Sequence, residues 1–307
     1  MKWRKLGLVY GPDGSLPWAR THAMLPTPVV RGDGTIRVYV TSCDEKMIGR
    51  PGYVDVSAED PCRVLREARL PLLDVGRPGT FDENGVAALS IVPITERRWY
   101  MYYVGFELGT RIRYRLLTGI AVSEDAGASF RRLRTTPVLE RSEAELYFRC
   151  GNCVLRKDGE FRMWYVAGSE WTQVAGKELP VYVIKHLASA DGVTWGGEGR
   201  LCLEVATADE HGFGRPWVVE AAYGYDMYFS VRRRSLGAYR LGFARSEDGL
   251  HWERDDARLN LDVTPGSWDG SAIEYGALAT THAGTFLFYN GDNFGERGFG
   301  VAVLEHS

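Results

Sequence analysis

Five short stretches of the chain gather acidic, basic and aromatic residues beside glycine or proline. Residues 79–85 carry Asp82, Glu83 and Asn84 between Gly79 and Gly85. Three polar side chains at a glycine-rich strand entrance are costly to bury without partners. Asp82 is therefore the leading carboxylate, with capping of its own turn as the alternative. Trp268, Asp269, Ser271, Glu274 and Tyr275 form a second cluster, which adds two carboxylates. Arg149 precedes a strand, Arg215 stands before Pro216-Trp217, and Arg232 ends a strand. The planar donor fork of arginine suits carboxylates and phosphates. Three such residues facing Asp82 would suit an acidic sugar, a sugar phosphate or inorganic phosphate. The alternative is that each arginine pairs with a glutamate in the scaffold. His22, ahead of Pro26 and Pro28, is read either as a ligand for a hydroxyl or carboxylate or as a packed histidine. Tyr239 is placed to reach over the rim, and Trp171, Trp217 and Trp268 to stack on a sugar ring.

A repeat positions these residues. Ser-x-Asp-x-Gly-x-x-aromatic, with small variations, appears at 123–130, 189–195 and 246–252, with a degenerate relative at 56–65. Ser57, Ser123, Ser189 and Ser246 stand 66, 66 and 57 residues apart, which implies a recurring supersecondary unit. Between these turns lie five hairpin patterns, at 27–41, 85–105, 152–168, 216–232 and 273–291. Gly-Asp-Gly, Lys-Asp-Gly and Ala-Gly supply turn signals among them. Each is followed by another apolar strand, and the Ser-Asp-Gly turn leads to a fourth. The pattern predicts an all-β protein, a five-bladed β-propeller of four-stranded antiparallel sheets. The whole chain, 1–307, is read as one domain with blades at roughly 22–70, 80–140, 147–205, 213–262 and 268–304. Residues 1–11 are expected to supply the missing outer strand of the last blade and close the ring. The polar stretches then fall where the innermost strands begin, around one central channel.

Composition agrees with a large folded chain. Hydrophobic residues make up 45% and charged residues 25%, and the formal net charge of −3 points to neither nucleic acid nor a membrane surface. Nine Trp, 16 Tyr and 12 Phe beside 36 Gly suit strands joined by tight turns. Five cysteines without regular spacing make no disulfide framework, and Cys150-Gly-Asn-Cys153 sits in a hairpin pattern rather than before a helix. A cytoplasmic setting is expected, with no cofactor and no metal, and a homo-oligomer is allowed.

The phrases His22-x-x-x-Pro26-Thr27-Pro28, Gly79-Thr80-Phe81-Asp82-Glu83-Asn84-Gly85, Arg162-Met163-Trp164-Tyr165, Gly214-Arg215-Pro216, Trp268-Asp269 and Tyr289-Asn290-Gly291 resemble a known group. It is the five-bladed β-propeller glycoside hydrolases and their relatives, including arabinanases, invertase-like enzymes and β-mannoside phosphorylases. The chain is most similar to propeller proteins linked to surface-polysaccharide and other sugar biosynthesis. The resemblance implies a carbohydrate substrate and a catalytic acid or ligand near Glu145. It favours inversion, with Asp82 and either Glu145 or Glu274 as the acid/base pair. On that reading D82N folds normally and loses at least about a hundredfold in turnover. Ser271 stands where relatives tend to carry a carboxylate. That departure keeps a phosphorylase or transferase, and a non-catalytic sugar-binding propeller, in view.

Overall fold

The computed structural model describes residues 1–305, and they are almost entirely β. The first strand, β1 (Trp3–Tyr10), is followed by five groups. Unit one comprises β2 (Thr21–Val30), β3 (Thr35–Cys43), β4 (Gly49–Ser57) and β5 (Val64–Glu67). Unit two comprises β6 (Val86–Pro93), β7 (Trp99–Leu108), β8 (Tyr114–Ser123) and β9 (Arg131–Arg132). Unit three comprises β10 (Phe148–Lys157), β11 (Glu160–Val174), β12 (Lys177–Ser189) and β13 (Arg200–Leu203). Unit four comprises β14 (Glu210–Ala221), β15 (Gly224–Arg233), β16 (Ala238–Ser246) and β17 (Glu253–Arg254). Unit five comprises β18 (Glu274–Thr281), β19 (Gly284–Asn290) and β20 (Phe299–Leu304).

Within each unit successive strands pair antiparallel. Unit five takes its fourth strand from the other end of the chain, because β1 pairs antiparallel with β20. Units two and three are joined into one eight-stranded sheet by a short parallel ladder, Phe148 to Leu116 and Arg149 to Leu117.

The first strands of the units touch in cyclic order: β2 with β6, β6 with β10, β10 with β14, β14 with β18, and β18 with β2. A side chain of each unit also receives a backbone N–H of the next. Thr41 Oγ1 accepts from Ala88, Ser90 Oγ from Val154, Cys153 Sγ from Val218, Ser230 Oγ from Tyr275, and Asn290 Oδ1 from Leu25. These bonds satisfy backbone donors where neighbouring sheets face each other and no ladder is available. Cys153 is thus a packing group. Burial pushes its thiol up to about 11, which removes thiolate chemistry at neutral pH.

The Ser-Asp-Gly turns tie the units together on the outside. In each, the serine hydroxyl accepts the glycine N–H: Gly127 to Ser123, Gly192 to Ser189, and Gly249 to Ser246. The freed glycine carbonyl accepts from a ring of the preceding unit. Tyr39 donates to Gly127 O, Tyr102 to Gly192 O, and Trp164 Nε1 to Gly249 O. The aromatic stripes are therefore core, and their polar tips clamp one sheet to the next. Among the described residues, no helix is long and apolar enough to cross a membrane.

Candidate functional site

Four of the acidic residues nearest the first strands belong to a repeated feature. Asp82 accepts from Tyr103 Oη at 3.0 Å and from Arg132 Nε at 2.7 Å. Glu145 accepts from Tyr165 Oη at 2.8 Å and pairs with Arg149 at 2.6 Å and Lys185 at 2.7 Å. Asp269 accepts from Tyr289 Oη at 3.0 Å and pairs with Lys5 of β1 at 2.5 Å. Glu210 pairs with Arg254 at 2.7 Å, and there Phe229 lies beneath the guanidinium. The rings hold equivalent registers: Tyr103, Phe229 and Tyr289 oppose Gly119, Gly242 and Gly300, and Tyr165 opposes Lys185. A buried acid held by a ring and a cation in four units out of five is a way of fastening each sheet. A substrate site, by contrast, should break the repeat.

This placement separates the expected arginine cluster. Arg149 is neutralised by Glu145 and donates to the carbonyls of Glu140 and Gly197. Arg215 is fully buried, with no carboxylate beside it. Its guanidinium donates to Pro26 O and Thr27 Oγ1 of unit one and to Leu89 O of unit two. Desolvation pulls its pKa down to about 10, so it is charged at neutral pH and held by backbone dipoles. Trp217 packs against this guanidinium at 4.9 Å, and Trp268 packs on Tyr289 at 5.2 Å. The three arginines therefore do not converge on Asp82, because nearer partners have engaged two of them and Arg132 has engaged the aspartate.

The repeat is broken where β18 meets β15, β16 and the turn at 291–298. Glu274 opens β18 and is 2% exposed. Its Oε1 accepts the backbone N–H of Phe294 at 2.8 Å, while its Oε2 is buried without a partner. Burial pushes its carboxyl up to about 8, against the opposing pull of the Phe294 N–H and the charge of Arg232. Glu274 is thus protonated at neutral pH.

Around it stands a group of aromatic residues. Arg232, at the end of β15, lies 4.9 Å from the Tyr239 ring and 5.5 Å from the Phe294 ring. Tyr239 and Tyr275 are 5.7 Å apart, and Phe294 stacks over Tyr275 at 6.4 Å. Tyr182 packs on Phe148 at 4.8 Å, and Tyr114, Phe148 and Trp171 pack edge to face on one another at 5.2 to 6.1 Å. Burial raises the phenols of Tyr182 and Tyr275 well above their ordinary value, and that of Tyr239 up to about 12. They stay protonated and can donate. His22 borders the same turn, its N–H donating to Glu296 O and its Nδ1 lying 2.8 Å from Thr21 Oγ1. Burial lowers its pKa, against a raising effect of Glu296, and keeps the ring neutral.

The backbone here is strained. His22, Leu25, Tyr275, Asn293 and Phe294 all have φ between +53° and +64°, half of the described non-glycine residues with positive φ. Such positions cost about 1–3 kcal/mol each and cluster at ligand sites. Of the sequence candidates, the structure gathers Glu274, Arg232, Tyr239 and His22. It places Asp82, Glu145, Asp269, Arg149 and Trp217 in other contacts, while Arg215 reaches Tyr275 O at 3.5 Å and Trp268 O accepts the Asp292 N–H of the turn, so these two border the site. Sequence reasoning missed Tyr114 and Phe294; Gly291-Asp-Asn-Phe-Gly295 carried turn chemistry but no sign of what it covers. Among the described residues, no group of three or more His, Cys, Asp or Glu is placed to hold a metal.

The chain matches no protein-family model. It is 36% identical over 307 residues to the uncharacterised protein Rv1502 of Mycobacterium tuberculosis, with 100% of both chains covered. The chain belongs to the Rv1502 family. Its fold is shared more widely. A glycoside hydrolase structure superposes with a TM-score of 0.75 at 17% identity, covering 99% of this chain and 92% of the other. A thermostable family-43 glycoside hydrolase gives 0.68 at 15% identity, covering 94% and 90%. An endo-arabinase from Bacteroides thetaiotaomicron gives 0.66 at 13% identity, covering 95% and 97%. At these identities the likeness of this Rv1502-family chain to the hydrolases is one of fold.

Proposed function

We propose that the five units are the blades of a closed β-propeller and that its central basin binds and cleaves a small glycoside. The cyclic contacts of the first strands, and the five side-chain bonds from each unit to the next, support the ring. The likeness in fold to glycoside hydrolases supports the substrate class by analogy. One observation carries the chemical reading: a buried Glu274 that keeps its proton to about pH 8, bordered by tyrosine rings and an arginine. A neutral carboxyl of this kind donates a proton to a departing glycosidic oxygen. Tyr239 and Tyr275 offer ring faces to a sugar and hydroxyls to its oxygens. Glu274 lies beneath Phe294, so substrate reaches it when the strained 291–298 turn lifts.

Inversion would require a second carboxylate across the scissile bond to activate water. Asp82 and Glu145 are held in ion pairs, and this favours a second reading, a sugar-binding propeller without turnover. A panel of aryl glycosides and oligosaccharides, tested with wild type and E274Q, decides between them. The hydrolase reading expects product from wild type and at least about a hundredfold less from E274Q. Equal turnover by E274Q would remove Glu274 from the mechanism. Binding without product on any member would establish the second reading.

A further inference from the structure

We propose that the ligand of this basin carries an anionic group, a carboxylate or a phosphate, which docks on Arg232. The inference rests on the carbohydrate reading above and adds the charge of the substrate. Three arginines lie near the first strands, and the other two have oxygen partners, although the Nε of Arg215 is also buried without one. Arg149 has Glu145 at 2.6 Å, and Arg215 has three oxygen acceptors at 2.8 to 3.1 Å. Arg232 makes no hydrogen bond and no ion pair among the described residues, and its Nε is buried without a partner.

A half-buried guanidinium without an acceptor is costly, because desolvation weakens its hydration and nothing in the protein replaces it. Its flanking rings hold it by their faces, at 4.9 Å for Tyr239 and 5.5 Å for Phe294. Contacts of this kind hold the cation in place without supplying an acceptor to its N–H groups. A planar carboxylate or a phosphate oxygen pair is the complement of those N–H groups.

The neighbours add no competing negative charge. Glu274 is the carboxyl whose charge bears on Arg232, and burial pushes its pKa up to about 8, which favours the neutral form. Tyr239, Tyr275 and Tyr182 surround the cation as protonated phenols. His211, at the start of β14, is 1% exposed with Nε2 unpartnered; burial, together with the charges of Arg232 and Arg234, opposes its protonation. The basin therefore holds one uncompensated positive charge among hydroxyl donors. A neutral sugar would leave it so.

The test is titration calorimetry with glucuronate, glucose 6-phosphate, glucose and inorganic phosphate, on wild type, R232K and R232M. The expected result is binding of an anionic sugar at least about tenfold tighter than glucose. R232M should abolish this preference with an unchanged melting temperature, and R232K should restore part of it. Tighter binding of glucuronate assigns the seat to a carboxylate, and tighter binding of glucose 6-phosphate assigns it to a phosphate. Arg232-dependent binding of inorganic phosphate, with no binding of any of the sugars, would uphold the anion seat and contradict the carbohydrate reading. Equal affinity for glucose and the anionic sugars, a preference that survives in R232M, or no anion binding at millimolar concentration would each overturn the proposal.

Discussion

Arg132 Nε donates to Asp82 Oδ2 at 2.7 Å, and the Tyr103 hydroxyl donates to the same oxygen at 3.0 Å. Asp82 is 1% exposed and is held by side chains of β7 and β9 of its own unit. The pair fastens the short outer strand β9 to the loop before β6. Removing one member of a buried pair strands the other, at a cost of about 3 kcal/mol or more. D82N and R132M should therefore lower the melting temperature, and differential scanning calorimetry reads the change directly. A D82N protein with wild-type stability and no activity would return Asp82 to the catalytic role that its sequence context suggests.

β1 makes a parallel prediction for the fold. It fills the outer position of unit five, and its Lys5 neutralises Asp269 across the chain termini. Removing residues 1–10 exposes the edge of β20 and leaves Asp269 buried and unpaired. The truncated chain should unfold in one transition at a clearly lower denaturant midpoint. An unchanged midpoint would mean that β1 is an appendage.

Arg215 stands at the centre of the first strands, bonded to units one and two from its own place in unit four. R215M should be destabilised by several kcal/mol, roughly 1–3 for each carbonyl left without a donor. Its ligand affinity, measured at a temperature where it remains folded, should match wild type. A stable R215M with lost affinity would place Arg215 in the binding site instead.

The proton on Glu274 links stability to pH. Its carboxyl titrates at an ordinary 4.5 when exposed and near 8 when buried. Between these values the folded chain keeps a proton that the unfolded chain has released. Stability should therefore fall as pH rises through this window, by at most about 1.4 kcal/mol per pH unit, and this contribution should level off above pH 8. The groups facing it are Arg232 and the Phe294 N–H, which favour ionisation, and Asp292, which opposes it. E274Q should lose this part of the pH dependence in urea denaturation. Parallel profiles for the two proteins would refute the linkage.

Local chemistry was legible in the sequence and long-range chemistry was not. The all-β character followed from alternating strands and turns such as Asp33-Gly34, where Asp33 Oδ1 accepts from Thr35 two residues on. The Ser-Asp-Gly turns were legible for the same reason, since the side-chain bonds inside them span five residues or fewer. Asp82 misled because its partner, Arg132, lies 50 residues away. Arg215 misled because its acceptors are oxygens of Pro26, Thr27 and Leu89, which no side-chain pattern announces. Glu274 was visible as a carboxylate. Its retained proton comes from burial in the folded chain, which outweighs the pull of the Phe294 N–H and of Arg232.

The account turns on the protonation of Glu274. Selective labelling of glutamate side-chain carboxyls with carbon-13, followed by an NMR pH titration of wild type and E274Q, measures it without any substrate. The account predicts one carboxyl resonance that titrates near pH 8 and is missing from E274Q. A Glu274 resonance that titrates in the ordinary carboxylate range would contradict it.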